Sequence, residues 1–348
     1  MSGINDTVQI GISTLTDIQS VTSDGRRVTP SERMHQIVEL GVRADALGLD
    51  VIGVGEHHSA DFLVSSPAVV LAAIAAKTSR IRLASAVTVL SVLDPVRVYQ
   101  DFAALDLISD GRAEITTGRS AYAEPFALFG LSLSEYGELF EEKLDLLLQL
   151  RSDESVAWKG RYRPPLSGEA VTPRALQAPL PVWIGAGGSP ESIIRAARLG
   201  LPLILGYLGG TPARLAQLTD LYRRAGEEFG TTDRLNVGIA LHYFAGDSDA
   251  QASSTYPYYH DFLRPKVPGG SGFTVSRERF EAGRQPGQAL MIGQSESIID
   301  RLVDLHRATR FDRIQALVDW GGLPPALVAD SLERLGTEIA PAVRDLAV

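Results

Sequence analysis

Short runs of apolar residues alternate along this chain with longer stretches in which apolar residues recur every three or four positions. The first pattern is that of buried strands and the second that of helices packed by one face. The runs predict strands at Val8–Ser13, Val51–Val54, Ile81–Val87, Ala113–Thr117, Val182–Gly185, Pro202–Leu205, Val237–Phe244 and Ile314–Val318. Between them, Met34, Ile37, Val38, Val42 and Leu47 share one helical face, and Leu139, Leu144, Leu147 and Leu148 share another. Pro30-Ser31, Asp94-Pro95 and Ser189-Pro190 supply helix starts. Eight strands alternating with helices favour an α/β fold closed as a (β/α)8 barrel, with an open doubly wound sheet as the alternative the pattern leaves open. The 348 residues suit one such domain spanning 1–348.

Two regions break the rhythm. Ser152–Ala178 contains Val156-Ala-Trp-Lys-Gly-Arg-Tyr-Arg163 and then prolines, which reads as a small hairpin inserted before the fifth strand. From Phe262 to Leu290 the chain carries Arg264-Pro265, Gly269-Gly-Ser-Gly272 and Pro286-Gly287 with few periodic apolar positions. It is expected to be a long loop before the eighth strand, placed to cover the carboxyl ends of the barrel as a lid.

Composition narrows the function classes. A formal charge of −9, with Arg and Lys scattered, gives no footprint for nucleic acid. The chain has no cysteine, which removes disulfides, thiolate metal sites and a cysteine nucleophile. No apolar run approaches the ~20 residues that span a bilayer. The opening Met-Ser-Gly-Ile-Asn-Asp lacks a basic region followed by an apolar core, so a cytoplasmic protein without membrane contact is expected.

The densest chemistry follows the second strand, where Val51-Ile-Gly-Val-Gly-Glu-His-His58 brings a carboxylate and two imidazoles to a carboxyl end, the side on which such sheets bind ligands. Backbone alternation sends Glu56 and His58 one way and His57 the other. The triplet reads as catalytic, as a hydrogen-bonded loop, or as a two-His-plus-carboxylate metal site. Adjacent histidines seldom converge on one ion, however, and no distant third ligand stands out, so no metal is expected. Two glycine-rich turns follow other strands. Gly185-Ala-Gly-Gly188 runs into Ser189, Pro190 and Ser192, where hydroxyls and amides meet the positive end of a helix. Gly118, Arg119 and Ser120 end the fourth strand, with a guanidinium able to pair with a phosphate. Both turns also read as ordinary capped turns, but together they point to one phosphorylated ligand. The dinucleotide fingerprint and the Walker sequence are not satisfied.

Glu56-His57-His58 after the second strand, Asp94-Pro95-Val96-Arg97 after the third, Gly118-Arg119-Ser120 after the fourth and Gly200-Leu-Pro-Leu-Ile-Leu205 at the sixth resemble, in order and spacing, the bacterial luciferase-like flavin monooxygenases. The resemblance covers nearly the whole chain. It implies a (β/α)8 barrel holding flavin mononucleotide (FMN) at its carboxyl face, with reduced flavin as cosubstrate and oxygen. It implies Glu56 at the flavin edge, His57 as the histidine assisting the chemistry with oxygen, and Ala86-Val87 as a non-prolyl cis peptide beneath the ring system. Arg119, Ser189 and Ser192 match phosphate-binding positions, and Tyr207 matches an aromatic of the active pocket. The luciferases' cysteine near Gly118 and acid near Gly188 are missing, which leaves more room at the reactive face and argues against light emission. The turn Gly209-Gly210, with Thr211, Pro212 and Arg214, is expected to replace the acid in anchoring the phosphate tail.

The expected activity is therefore oxidation of a small organic substrate, with His57 as proton donor or base near neutral pH. Reduced flavin is expected either from outside, from a separate reductase, or through weak use of NAD(P)H, and the chain is expected to pair as a homodimer through helices following the early strands. Deazaflavin-dependent hydride transfer is the alternative enzyme class, and a non-catalytic flavin-binding relative the alternative outside enzymes.

Overall fold

The computed structural model describes residues 7–18, 25–120, 122–264 and 272–347. Eight parallel strands form one closed sheet: β1 (Gln9–Thr14), β2 (Val51–Val54), β3 (Arg82–Ser85), β4 (Ala113–Gly118), β5 (Val182–Ala186), β6 (Leu203–Tyr207), β7 (Val237–Ala245) and β8 (Arg313–Asp319). Strand β8 returns to β1 with Gln9 opposite Arg313 and Ile12 opposite Ala316, and this pairing excludes the open sheet. Every predicted strand is present to within a few residues. A helix follows each: α1 (Pro30–Ala46), α2 (Pro67–Ala75), α3 (Pro95–Ile108), α4 (Tyr136–Ser152), α5 (Pro190–Arg198), α6 (Pro212–Phe229), α7 (Ser295–Thr309) and α8 (Pro325–Arg334).

Local chemistry explains where the helices begin. Thr29 and Glu32 form a reciprocal capping box at α1, and Asp94 accepts from the amides of Val96 and Arg97 at α3. Proline at the first helical position fixes the entry of both without losing a needed donor. Ile37, Ala44, Leu71, Ile74, Leu144 and Leu147 bury the inner helical faces against the outside of the barrel. Each large aliphatic buried there contributes about 1.5–3 kcal/mol.

The insertion before β5 is an antiparallel hairpin, Ser155–Trp158 with Leu166–Ala170, as the sequence pattern predicts. The region before β8 departs from expectation. Residues 265–271, which include most of the Gly269–Gly272 cluster, lie outside the described residues. The remainder is not a structureless lid: Ser276 caps a helix over Arg277–Gly283, fully buried Phe280 anchors it, and Met291–Gly293 adds a short strand beside β7. Arg284, itself buried, holds the segment to Asp249 and Glu281. The element lying across the carboxyl ends of β7 and β8 is instead the helix Tyr256–Leu263. Its Tyr259 hydroxyl lies 2.8 Å from His242 Nδ1, and a Cβ on Gly321 would sit 1.8 Å from its Tyr258 carbonyl oxygen.

A charged layer fills the amino end of the barrel. Glu114 on β4 reaches Arg313 on β8 at 2.6 and 3.1 Å, a contact across the interior that proves both side chains point inward. Arg82 joins the same carboxylate, Gln9 accepts from Arg313 at 2.8 Å, and Trp183 lies under the Arg313 guanidinium at 4.1 Å. Burial alone would raise the Glu114 carboxyl; Arg313 and Arg82 overcome it and bring the group to about 2. Among the described residues, no helix is long and apolar enough to cross a membrane.

Candidate active site at the carboxyl end of the barrel

The two-residue period that points Glu114 and Arg313 inward also turns Thr116 and Gly118 on β4, Gly185 on β5 and Gln315 on β8 into the barrel, nearer its carboxyl end. The Ala86–Val87 peptide after β3 is cis, as the resemblance implied. Small neighbours make room for it: a Cβ on Gly118 would meet Val87 Cγ2 at 2.4 Å, one on Gly185 would meet Val87 Cγ1 at 2.8 Å, and one on Gly53 would meet Ala86 Cβ at 2.8 Å. Above the charged layer, Gly53, Gly118 and Gly185 thus seat the Ala86 and Val87 side chains as the floor of this end of the barrel. Around it the Thr88 and Thr116 hydroxyls and Gln315 Nε2 are buried with no hydrogen-bond partner. These three residues were missed in the sequence; a polar residue within the apolar run Ile314–Val318 was the available signal for Gln315.

Glu56, His57 and His58 divide as alternation predicts. Glu56 Oε1 lies 2.8 Å from His58 Nε2, and Oε2 accepts from the Val89 amide at 3.1 Å, so the carboxylate ties the end of β2 to the segment after the cis peptide. His58 packs edge-on against Phe129 at 5.0 Å. His57 points the other way, stacked on Phe62 at 3.9 Å with Tyr122 edge-on at 5.5 Å, and its Nδ1 has no partner. Burial, reinforced by His58, lowers His57 to about 4. A pKa lowered in this way favours the uncharged imidazole at neutral pH, so of the two roles expected of His57, proton donor or base, it fits the base. Among the described residues no group of three or more His, Cys, Asp or Glu side chains could hold a metal ion.

Arg119 and the start of α5 meet at the edge of this floor. Ser189 caps α5 by accepting from the Ser192 amide, and Arg119 Nη2 reaches the Ser189 hydroxyl at 3.5 Å while Nη1 reaches the Tyr136 hydroxyl at 3.2 Å. Its guanidinium also lies 4.9 Å from the centre of the Tyr136 ring. No salt bridge engages Arg119 among the described residues. Glu191, whose carboxyl Arg119 helps to hold low, accepts from Ser189 Oγ at 2.9 Å, so the acid absent at Gly188 has a counterpart three residues on. Ser120 departs from expectation. Its backbone is left-handed (φ 88°), and its hydroxyl both accepts from the Tyr122 amide and donates to the Tyr122 carbonyl. It shapes the turn that presents Arg119 rather than offering a free hydroxyl.

Gly188, Gly209 and Tyr207 come together elsewhere. A cavity of about 190 Å³ is lined by Gly187, Gly188, Gly206, Tyr207, Gly209, Thr211, Arg214, Leu215 and Leu218. Ile204 faces the barrel interior, since a Cβ on inward Gly238 would lie 3.1 Å from its Cδ1. Alternation then turns Tyr207 outward, towards the helices. The resemblance implied an aromatic of the active pocket; the structure puts this ring in the sheet–helix layer instead. Gly210 (φ 88°) shapes the turn beside the cavity.

Residues 8–312 match the family of luciferase-like monooxygenases. The chain belongs to that family. This luciferase-like chain is 26% identical over 345 residues to the oxygenase component of the flavin-dependent trigonelline monooxygenase of Acinetobacter baylyi, with 92% of each chain covered. The oxygenating constituent of 3,6-diketocamphane monooxygenase from Pseudomonas putida, solved in complex with FMN, superposes with a TM-score of 0.77 at 18% identity, covering 96% of this chain and 98% of that one. An F420-dependent secondary alcohol dehydrogenase, solved with an F420–acetone adduct, gives 0.73 at 18% identity over 97% and 99%. At such identities the two solved structures share the luciferase-like fold with this chain. Flavin-linked and F420-linked oxidoreductases are thus both built on this barrel.

Proposed function

We propose that the chain is an FMN-linked monooxygenase that uses reduced flavin and oxygen on a small organic substrate. The observation that carries this reading is Arg119, a guanidinium that makes no salt bridge among the described residues and reaches hydroxyls and an aromatic face at the start of α5, beside the Ala86–Val87 floor. The residues present fit a flavin. Unpartnered Thr116 Oγ1 and Gln315 Nε2 offer polar contacts to a planar ring system, and Arg119, Ser189 and Ser192 offer charge-assisted and helix-terminus contacts to its phosphate. Glu191 would turn outward to make way for that anion.

When bound, the flavin supplies the redox chemistry with oxygen. The protein's share is positioning and proton handling. Glu56 fixes His58 and the Val89 amide, and so holds the Ala86–Val87 platform in register with β2. His57 presents Nδ1, unpartnered and uncharged at neutral pH, as the atom that exchanges a proton with the substrate. Phe62 and Tyr122 shield it from water. With neither the dinucleotide fingerprint nor a Walker motif in the sequence, reduced flavin is expected from a separate reductase. Exposed Val69 on α2 and Leu107 and Ile108 on α3 support a homodimer formed through the early helices.

The test is anaerobic titration with reduced FMN of the wild type and Arg119→Ala. The variant should bind at least about tenfold more weakly, the loss of one charge-assisted contact. Equal affinity in the two proteins would remove the phosphate assignment and with it the orientation of the flavin.

A further inference from the structure

Arg33 stands on α1, in the layer outside the barrel, yet it is 5% exposed. Its Nη2 lies 2.5 Å from Asp319 Oδ2 at the end of β8, and its Nε donates to the Asp17 carbonyl at 2.9 Å, beyond the end of β1. Thr14 Oγ1 donates to the same Asp319 oxygen at 2.9 Å, and the Asp17 carboxylate accepts from the Gly321 amide at 2.7 Å. One guanidinium thus ties the segment after β1 to the end of β8. As an ion pair it is poorly completed beside Glu114–Arg313. Asp319 Oδ1 has no hydrogen-bond partner, and burial raises the Asp319 carboxyl in spite of Arg33, whereas two arginines hold Glu114 low. A buried pair of this kind adds little stability that packed apolar side chains would not also supply. What it does fix is the place of Asp17.

That place is passed on to His57. Residues 16–18 run antiparallel to residues 61–64, with Asp17 opposite Phe62. The Ile18 amide donates to the Asp61 carbonyl at 3.1 Å, the Leu63 amide to the Thr16 carbonyl at 2.9 Å and the Val64 amide to Thr16 Oγ1 at 3.3 Å. The His57 amide donates to the Val64 carbonyl at 2.9 Å, so the loop comes back on itself and lays Phe62 on the His57 ring. Thr16 adopts a left-handed backbone (φ 64°), rare for a β-branched residue, with its amide on Thr14 Oγ1 at 3.0 Å. Such a conformation persists only where its surroundings hold it, and here they lead through Thr14 to the Asp319 oxygen that takes Arg33.

We propose that Arg33 is a positioning residue for His57: by holding Asp17 it keeps Phe62 stacked over the imidazole, so that the base stays covered and keeps its lone pair for the substrate. The inference rests on the reading of His57 as the base. Of the titratable groups that face His57, His58 lies beside it and Tyr122 reaches it from the turn after β4. Arg33 contacts neither, so its effect on His57 is carried by Asp17 and Phe62.

The six histidine side chains would be titrated by NMR in the wild type, in Arg33→Met, and in Arg33→Met combined with Asp319→Leu, which leaves no lone buried carboxylate. His57→Asn assigns the His57 signals. The expected result is a His57 proton affinity at least about tenfold higher in both variants, moving from about 4 towards the ordinary 6.5, with His242 and His306 unmoved. Phe62→Ala should reproduce the rise with Arg33 in place. A folded variant of Arg33 in which His57 titrates as in the wild type would overturn the proposal. So would a rise shared by His242 and His306, which would make Arg33 a general support of the fold. Reduced FMN should bind the variants within about twofold of the wild type. A tenfold loss would place Arg33 behind the flavin rather than behind His57, and would also overturn the proposal. A wild type that binds no flavin strikes the functional reading instead, and the His57 titration still decides whether Arg33 positions it.

Discussion

At the amino end of the barrel, Glu114 is gripped by Arg313 and Arg82, and Arg313 also reaches Gln9 and stacks on Trp183. Two residues further along the same strands, Thr116 and Gln315 are equally buried yet have unpartnered polar atoms. The strands, the alternation and the degree of burial are shared; what differs is whether the polar groups were completed by the chain itself. Buried charges left unpaired would unfold the barrel, so the amino end is internally satisfied. Polar groups left open at the carboxyl end are each affordable at about 1–3 kcal/mol, and they are where a ligand finds its contacts. One end holds the cylinder together, and the other leaves the polar groups that the proposed flavin would complete.

Breaking the amino end should have the largest effect. Glu114→Ala leaves Arg313 and Arg82 facing each other in the interior and should cost about 3–5 kcal/mol in urea unfolding. A loss below about 1 kcal/mol would mean that the charged layer is not what closes the barrel.

The next effect is in acid. His242 is buried beside Tyr259, and burial lowers it to about 4. Since the unfolded chain takes up a proton near 6.5 and the folded one only near 4, this histidine favours folding fully above pH 6.5, and that stability is lost as pH falls towards 4. The loss should be on the order of 3 kcal/mol. His57, lowered for the same reason, adds to the slope in the same window. Unfolding free energies measured between pH 7 and 4.5 should fall more gently in His242→Asn than in the wild type; identical slopes would contradict the burial argument.

The smallest effect should separate the two ends most clearly. Thr116→Val replaces an unpartnered hydroxyl with a methyl of similar shape, so stability should stay level or rise by up to about 1 kcal/mol. The same change should weaken flavin binding. A clear loss of stability would show that the Thr116 hydroxyl is already satisfied and that the contrast between the ends is false.

The barrel was legible in the sequence because buried parallel strands are continuous apolar runs, and Val51–Val54 or Ile314–Val318 cannot be much else between helical stretches. Arg119, Ser189 and the Glu56-His57-His58 triplet were legible because turns and helix starts carry local signals. The inward residues Thr116 and Gln315 were not, since which alternate positions face inward is set by closure of the sheet. Ser120 misled because the same hydroxyl that can bind a ligand can also fold its own turn. Tyr207 misled by one step of alternation, which is the whole distance between the inside and the outside of a barrel. The helix Arg277–Gly283 hid because it is short and buries Phe280 alone, while Arg284 secures it through charges.

The most direct measurement is anaerobic titration of the wild-type protein with oxidised and reduced FMN and with deazaflavin, followed by admission of oxygen to the flavin-loaded protein. The account predicts saturable binding, tighter for the reduced flavin, and oxygen uptake that stops in the deazaflavin-loaded sample. Binding of neither flavin nor deazaflavin would contradict it, since a carboxyl end left open by the fold would then have no ligand of the kind its residues fit.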